Sequence, residues 1–273
     1  MRYHLTTTST LVLVMTTLAC KTYGQNFSAS GGRALGMAAS SILLNDEYGI
    51  FNNPGATEAN NLTFLAAYNT QYLNLGLNDA RIGLVVPFSK ITTGVGVLYF
   101  GDELFNQIRV SGLIGDEFGF AKTALRVNYH QFYLQNYGYR SAITLDIGGV
   151  FTLSEQLSLA MVLQNITRSK LIAETATQLS SLVQLGLSYH PIKKFRIDAQ
   201  LDKSIEQPLI FRLGLEYMAT DLISFRTGFS PASLAAVGMG FSWKTITLDL
   251  AGQYQQQLGY SGIVSLKLIR VKK

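Results

Sequence analysis

Charged side chains lie at alternate positions in segments that are otherwise apolar, an arrangement that could line a polar pore or a filled interior. A lining of one sign would select ions, whereas a mixed lining would pair internally, because buried charges need a partner or water. Basic and acidic groups are nearly equal in number, which favours a salt-bridged, mostly filled interior. The predicted interior charges are Lys122, Arg126, Asp146, Asp198, Asp202, Arg212, Glu216, Arg226 and Asp249.

Residues that could catalyse a reaction or hold a metal do not cluster in the sequence. The chain has 3 histidines: His4 lies in the N-terminal leader, and His130 and His190 are far apart. A typical metal site would need clustered ligands, and no GxSxG, HExxH or phosphate-loop motif occurs. A membrane protease would need a histidine beside acidic residues such as Asp102 and Glu103, and none is near them. The sequence therefore predicts a protein that is not an enzyme and uses no cofactor or metal.

The composition favours a membrane protein built from strands. Hydrophobic residues make up 48% of the 273 residues and charged residues 14%, whereas soluble domains carry about 25% charged residues. After residue 24 no apolar run reaches the length of roughly 18 residues that a membrane helix needs. A closed β-barrel also satisfies every backbone group in lipid. The net charge of +5 and the scattered basic C-terminal residues do not predict a nucleic-acid partner.

The first 24 residues have the features of a secretory signal peptide. Arg2 and His4 give a weakly basic start, an apolar core follows at residues 11–15, and small residues precede a cleavage site before Gln25. Lipidation of Cys20 is the alternative. We therefore divide the chain into a signal peptide (residues 1–24), an N-terminal hatch or plug (residues 25–60) and a transmembrane barrel (residues 61–273).

Apolar and polar residues alternate through most of the chain beyond residue 61, as in strands with two different faces. In residues 194–202, Phe195, Ile197 and Leu201 share one face, and charged or amide side chains occupy the other. The pattern predicts an all-β fold, a single antiparallel barrel of about 14 strands. The predicted strands span residues 61–74, 79–88, 91–101, 104–113, 118–134, 139–152, 155–166, 178–190, 193–203, 208–219, 221–229, 235–243, 245–256 and 258–271.

A soluble sandwich would show the same alternation with its apolar face turned inward. Strands of about 9–12 residues suit a tilted membrane strand, and aromatic residues recur near strand ends, where they line membrane interfaces. Tight turns are predicted after the even-numbered strands, among them residues 114–117 and 191–192, on the periplasmic side with the N-terminus. The aromatic residues are Tyr68, Tyr72, Tyr99, Phe100, Tyr133, Tyr137, Tyr139, Phe241, Trp243, Tyr254 and Tyr260.

Residues 31–55 differ from the strands in being rich in Gly, Ala and Ser and ending in a turn-forming Asn-Pro-Gly run. Their small side chains suit close packing inside a barrel, as a movable hatch or as a fixed plug; paired charges and short loops favour the plug. The residues we expect to form this element and its turn are Gly32, Arg33, Gly36, Met37, Asn53, Pro54 and Gly55.

Residues 32–38 and 45–55 resemble the "GxRxxGMGGA…DD…FxNPAG" opening of the PorV/PorQ family, outer-membrane barrels of Bacteroidota distantly related to the fatty-acid transporter FadL. Residues 145–149, 164–166, 212–217 and 226–229 resemble later motifs of the family. Gly55 replaces the usual alanine, Ala39-Ser40 replaces Gly-Ala, and the outer loops are shorter than expected.

This resemblance implies a fourteen-stranded FadL-like barrel with an N-terminal hatch, surrounded by outer-membrane lipid and lipopolysaccharide. It also implies a structural or interaction subunit of type IX secretion or surface-attachment machinery, with protein partners in that complex. The alternative is a FadL-like transporter whose ligand is a hydrophobic small molecule.

Overall fold

The computed structural model describes residues 29–73, 76–89, 91–170, 179–205, 207–231, 233–256 and 258–270. The predicted signal peptide, Cys20 and residues 25–28 lie outside these ranges. A short helix α1 (Gly32–Gly36) and two 3-10 helices, η1 (Glu47–Ile50) and η2 (Pro54–Ala56), precede the strands. The strands are β1 (Leu62–Gln71), β2 (Leu77–Phe88), β3 (Ile91–Gly101), β4 (Phe105–Phe118), β5 (Ala121–Leu134), β6 (Gly138–Thr152), β7 (Leu157–Gln164), β8 (Leu182–Ile192), β9 (Phe195–Ser204), β10 (Ile210–Met218), β11 (Ile223–Ser230), β12 (Ser233–Trp243), β13 (Ile246–Gln255) and β14 (Gly259–Arg270).

The strands form one closed barrel in which each strand pairs with its neighbours in sequence, and β1 pairs with β14. Every pairing is antiparallel, so the predicted all-β barrel and its strand number are confirmed. We call the end with the connections after even-numbered strands the short-turn end, and the opposite end the loop end. Within the described ranges, no helix combines the length and apolar character needed to cross a membrane.

The two faces of the barrel have opposite chemistry. Apolar side chains such as Ile82 and Val95 point outward and are 62% and 57% exposed. Charged side chains such as Arg126 and Asp198 point inward and are 1% and 0% exposed. An apolar outer surface around a polar interior is the arrangement of a membrane barrel, and the soluble sandwich interpretation is wrong.

Two predicted turns are wrong, because strand residues at those places resemble turn residues. Residues 114–117 continue β4, and Ile114 faces outward at 55% exposure. The turn lies at Gly119, whose φ of +59° suits a tight hairpin. Gly115 is small for a different reason, since a Cβ there would lie 2.8 Å from the Cβ of Ala124. Residues 191–192 likewise belong to β8, after a register shift at Tyr189.

Two aromatic residues assigned to the membrane interface face the interior instead. Tyr72 has a φ of +51° and is 8% exposed, and its hydroxyl donates to Oε1 of Gln255 at 3.0 Å. Phe100 continues the inward-facing series of β3, two residues after buried Leu98. Tyr137 and Trp243 are exposed at 74% and 59%, as an interface position requires.

Candidate functional site

Residues 29–60, here called the inner segment, lie inside the barrel. Helix α1 contacts β11–β14, η1 contacts β1–β4, and η2 contacts β4–β6. Ile50 and Phe51 pack with Leu65, Val85 and Leu113 of the barrel wall in one hydrophobic cluster. Because the segment touches most of the wall, its position is set by many strands at once.

Arginine side chains of the wall hydrogen bond to the backbone of the inner segment. Arg126 Nη1 donates to the Ile50 carbonyl at 2.7 Å, and Arg212 Nη1 donates to the Ala38 carbonyl at 3.1 Å. Two more such bonds join Arg81 to Ala29 O (3.0 Å) and Arg196 to Leu43 O. An irregular backbone buried in a barrel needs such partners for the carbonyls that its own turns do not bond.

Each of these arginines is also neutralised by a carboxylate on the wall. The N–O distances are 2.8 Å for Arg126–Asp146, 2.6 Å for Arg212–Asp202, 2.8 Å for Arg196–Asp198 and 2.9 Å for Arg81–Asp79. Asp146 also accepts from Asn128 Nδ2 at 2.7 Å and from the Asn165 backbone at 2.8 Å. The wall thus presents neutral pairs whose arginine donors remain directed at the segment.

Arg33 joins the inner segment to a second ionic network. Its guanidinium lies 2.6 Å from Glu216 Oε2 and 3.2 Å from Asp46 Oδ2. Glu216 Oε1 is in turn 2.7 Å from Arg226, which is 2.7 Å from Asp249. At the short-turn end, Lys122 pairs with Glu58 of the segment at 2.7 Å. Every charge predicted to face the interior therefore has a partner of opposite sign.

Small residues allow the segment to approach the wall closely. A Cβ at Gly36 would lie 3.0 Å from the Cα of Gly238, and one at Gly32 would lie 2.8 Å from the Asp249 carbonyl. A Cβ at Gly55 would lie 2.5 Å from the Gly148 carbonyl. These glycines therefore leave room for the barrel backbone, which explains the small residues of the segment.

Met37, Asn53 and Pro54 complete the contacts of the predicted segment residues. Met37 is fully buried beside β10 and β11. The Asn53 side chain accepts from Gly55 N at 2.9 Å and donates to Ile42 O at 2.7 Å. Pro54 opens η2 directly after it. The Asn-Pro-Gly run therefore forms a hydrogen-bonded turn against β6.

Several charged residues besides the nine predicted interior charges also face the interior. Asp79 and Arg81 alternate with outward-facing residues in β2, as Arg109 does in β4 and Arg196 in β9. The same alternation would have identified them. Asp46, the partner of Arg33, lies outside any strand, so no such pattern indicates it.

Nearer the loop end the lining becomes partly apolar. The strand register places Arg81, Leu98, Arg109 and His130 in one row across β2–β5. The next row toward the loop end contains Asp79, Phe100, Gln107 and Phe132. We call Leu98, Phe100, Gln107, Arg109, His130 and Phe132 the loop-end lining.

His130 is held in place within this lining. One ring nitrogen lies 3.1 Å from Gln107 Nε2 and the other 3.0 Å from Thr144 Oγ1. The ring stacks on Phe132 with a centroid distance of 6.0 Å and an interplanar angle of 7°. The described part of the chain contains no group of three or more His, Cys, Asp or Glu side chains placed to hold a metal.

Comparison with known proteins gives matches in structure only. No protein-family model and no curated protein sequence matches the chain. The CymD monoaromatic hydrocarbon channel superimposes with a TM-score of 0.69 at 11% identity, over 91% of this chain and 100% of that one. The Pseudomonas putida toluene transporter TodX gives 0.67 at 10% identity, over 90% and 100%. A Pseudomonas aeruginosa FadL homologue gives 0.63 at 11% identity, over 90% and 99%. At these identities the likeness establishes that the chain shares the barrel fold of these three proteins.

Proposed function

We propose that the protein is a non-enzymatic outer-membrane channel that takes up small hydrophobic molecules through its loop end. The apolar outer face lies in lipid and lipopolysaccharide, and the N-terminus lies on the periplasmic side. Support comes from the shared fold with a hydrocarbon channel and a toluene transporter. We infer loop-end entry because the inner segment occupies the interior from the short-turn end, where Glu58 pairs with Lys122, up to the row of Arg81, which binds Ala29.

The observation that carries this proposal is the apolar part of the loop-end lining. Leu98, Phe100 and Phe132 face the interior, and none of them belongs to the hydrophobic cluster that holds Ile50 and Phe51 of the inner segment. Phe100 and Phe132 are partly exposed rather than packed into a core. Aromatic faces of this kind provide contact area for apolar ligands.

Uptake of radiolabelled toluene by cells that express the full chain tests the proposal. We expect the Phe132→Asp variant to reduce uptake roughly tenfold or more, because a carboxylate in an apolar path disfavours an apolar ligand. The matched Phe132→Leu variant keeps the apolar character and should retain most uptake. Equal uptake by Phe132→Asp and the unchanged protein, or uptake no higher than in cells lacking it, would contradict the proposal.

A second candidate function is a PorV/PorQ-type subunit that docks to secretion or attachment machinery. The observation that favours it is the inner segment: residues that resemble this family are held by Arg126, Arg212 and Glu216. A segment held so firmly suits a structural subunit better than a movable gate. If this function is correct, type IX components should co-purify with the barrel from detergent-solubilised membranes, and recovery of the barrel alone counts against it.

A further inference from the structure

Arg109 differs from the other arginines of the interior. It lies on β4 with Leu98 and His130 as its register partners, and its neighbour Val110 points outward at 44% exposure. The Arg109 side chain therefore faces the interior within the loop-end lining. It is partly buried, and its Nε atom is buried without a hydrogen-bond acceptor.

Arg109 forms no hydrogen bond or ion pair with the described residues, whereas Arg33, Arg81, Arg126, Arg196, Arg212 and Arg226 each lie within 4.0 Å of a carboxylate. A guanidinium without a counter-ion in a partly buried position is unfavourable. An anion that enters the barrel from solution would supply the missing partner of this guanidinium.

The carboxylates that act electrostatically on Arg109 are already engaged. These are Asp79 and Asp146. Asp79 pairs with Arg81 and accepts 2.9 Å hydrogen bonds from Asn69 and Gln71. Asp146 is bonded to Arg126 and two asparagines. Neither can turn to Arg109 without losing these bonds, while Arg81 and Arg126 add positive potential near it.

The surroundings of Arg109 indicate the size and character of the missing anion. Leu98 on β3 is the register partner of Arg109, and Phe100 and Phe132 lie in the next row toward the loop end. Aromatic rings contact other rings by stacking or edge-to-face packing, and a guanidinium binds a carboxylate through two parallel hydrogen bonds. The lining thus combines a carboxylate-binding group with aromatic contact area.

We propose that the loop-end lining binds an aromatic carboxylate, with Arg109 on the carboxylate and Phe100 and Phe132 on the ring. This deepens the proposed uptake function, because it gives the apolar ligand an anionic group. The site uses only wall residues, and the inner segment retains its contacts.

Binding of benzoate to the purified full chain in a non-ionic detergent, measured by isothermal titration calorimetry, tests this proposal. Toluene, acetate and octanoate serve as probes that lack the charge, the ring and the aromatic character respectively. We expect benzoate to bind more tightly than acetate and octanoate. Arg109→Gln should weaken benzoate binding roughly tenfold or more, since a charge-assisted bidentate contact is lost, and should weaken benzoate binding more than toluene binding.

Control variants separate binding from folding. Arg270→Gln removes an exposed arginine at the opposite end and should leave benzoate affinity unchanged. Arg109→Lys keeps the charge without the two-pronged geometry and should show intermediate affinity. Folding is read from the heat-dependent gel mobility of each barrel. Arg109→Gln should fold as well as the original chain, because Arg109 holds no described residue in place.

Several outcomes would overturn the proposal. They are unchanged benzoate affinity in Arg109→Gln, failure of that variant to fold, and octanoate or acetate binding as tightly as benzoate. Absence of toluene uptake by cells would overturn the channel function but not benzoate binding in detergent, so the two proposals fail separately.

Discussion

Replacing Arg126 with methionine is expected to destabilise the barrel by about 3–5 kcal/mol, the usual effect of removing one partner of a buried ion pair. Arg126 is 1% exposed and donates two hydrogen bonds to Asp146 and one to the Ile50 carbonyl. Methionine fills similar space but leaves the Asp146 carboxylate with fewer donors and the Ile50 carbonyl without its arginine. The variant therefore weakens both the wall and its attachment to the inner segment.

The measurement is urea unfolding of the barrel in lipid vesicles, followed by the fluorescence of Trp243, the single tryptophan of the chain. Lys203→Met is the matched control. Because Lys203 is exposed, its replacement should lower the free energy of unfolding by less than about 1 kcal/mol. Adding Asp146→Asn to the Arg126 variant should recover part of the loss by removing the stranded charge. A loss below about 1 kcal/mol for Arg126→Met would show that the interior is hydrated enough to replace the arginine.

Alternation is enough to predict the wall of the barrel and the inward orientation of strand charges such as Arg126 and Asp146. In β5 and β6, Arg126 and Asp146 occupy the face opposite to outward-pointing Leu125 and Ile147, so period two is sufficient to place them. That these two residues pair depends on the register between strands, which no pattern in a single strand determines.

Features that depend on non-local contacts could not be predicted. Nothing local shows that Arg126 donates to Ile50, because the inner segment has no repeating pattern. Tyr72 faces inward because its backbone adopts a positive φ and a partner, Gln255, lies far away in sequence. The absence of a partner for Arg109 among the described residues is likewise visible only when the neighbouring strands are in place.

The interior therefore has two parts with different chemistry. Around the inner segment, arginines are paired with carboxylates and hydrogen bonded to backbone, which suits a fixed element. In the loop-end lining, the apolar side chains and Arg109 form no hydrogen bond or ion pair with the inner segment. These side chains are therefore available to contact a ligand. An uptake channel and a rigid inner segment are thus compatible in the same barrel, because they use different residues.

Replacing Gly228 with leucine is expected to destabilise the protein by roughly 3 kcal/mol or more, the upper part of the range for overpacking. A Cβ at Gly228 would lie 2.5 Å from the Met37 carbonyl carbon and 2.6 Å from the Ala38 nitrogen. Both atoms belong to backbone, so no side-chain rotation relieves the clash. The wall at β11 is held on both sides by ladder pairing, and the inner segment must move instead.

Gly112→Leu is the matched control, because a Cβ at Gly112 meets no atom within 4 Å. Urea unfolding in vesicles compares the two variants, and single-channel conductance in planar bilayers reports the position of the segment. A fixed inner segment predicts that Gly228→Leu lowers stability and raises conductance as the segment is displaced, whereas Gly112→Leu does neither. If Gly228→Leu were as stable as the original chain, the segment would have an alternative position of similar free energy. That result would identify a movable hatch, and the arginine–carbonyl bonds would then be contacts of one state among several.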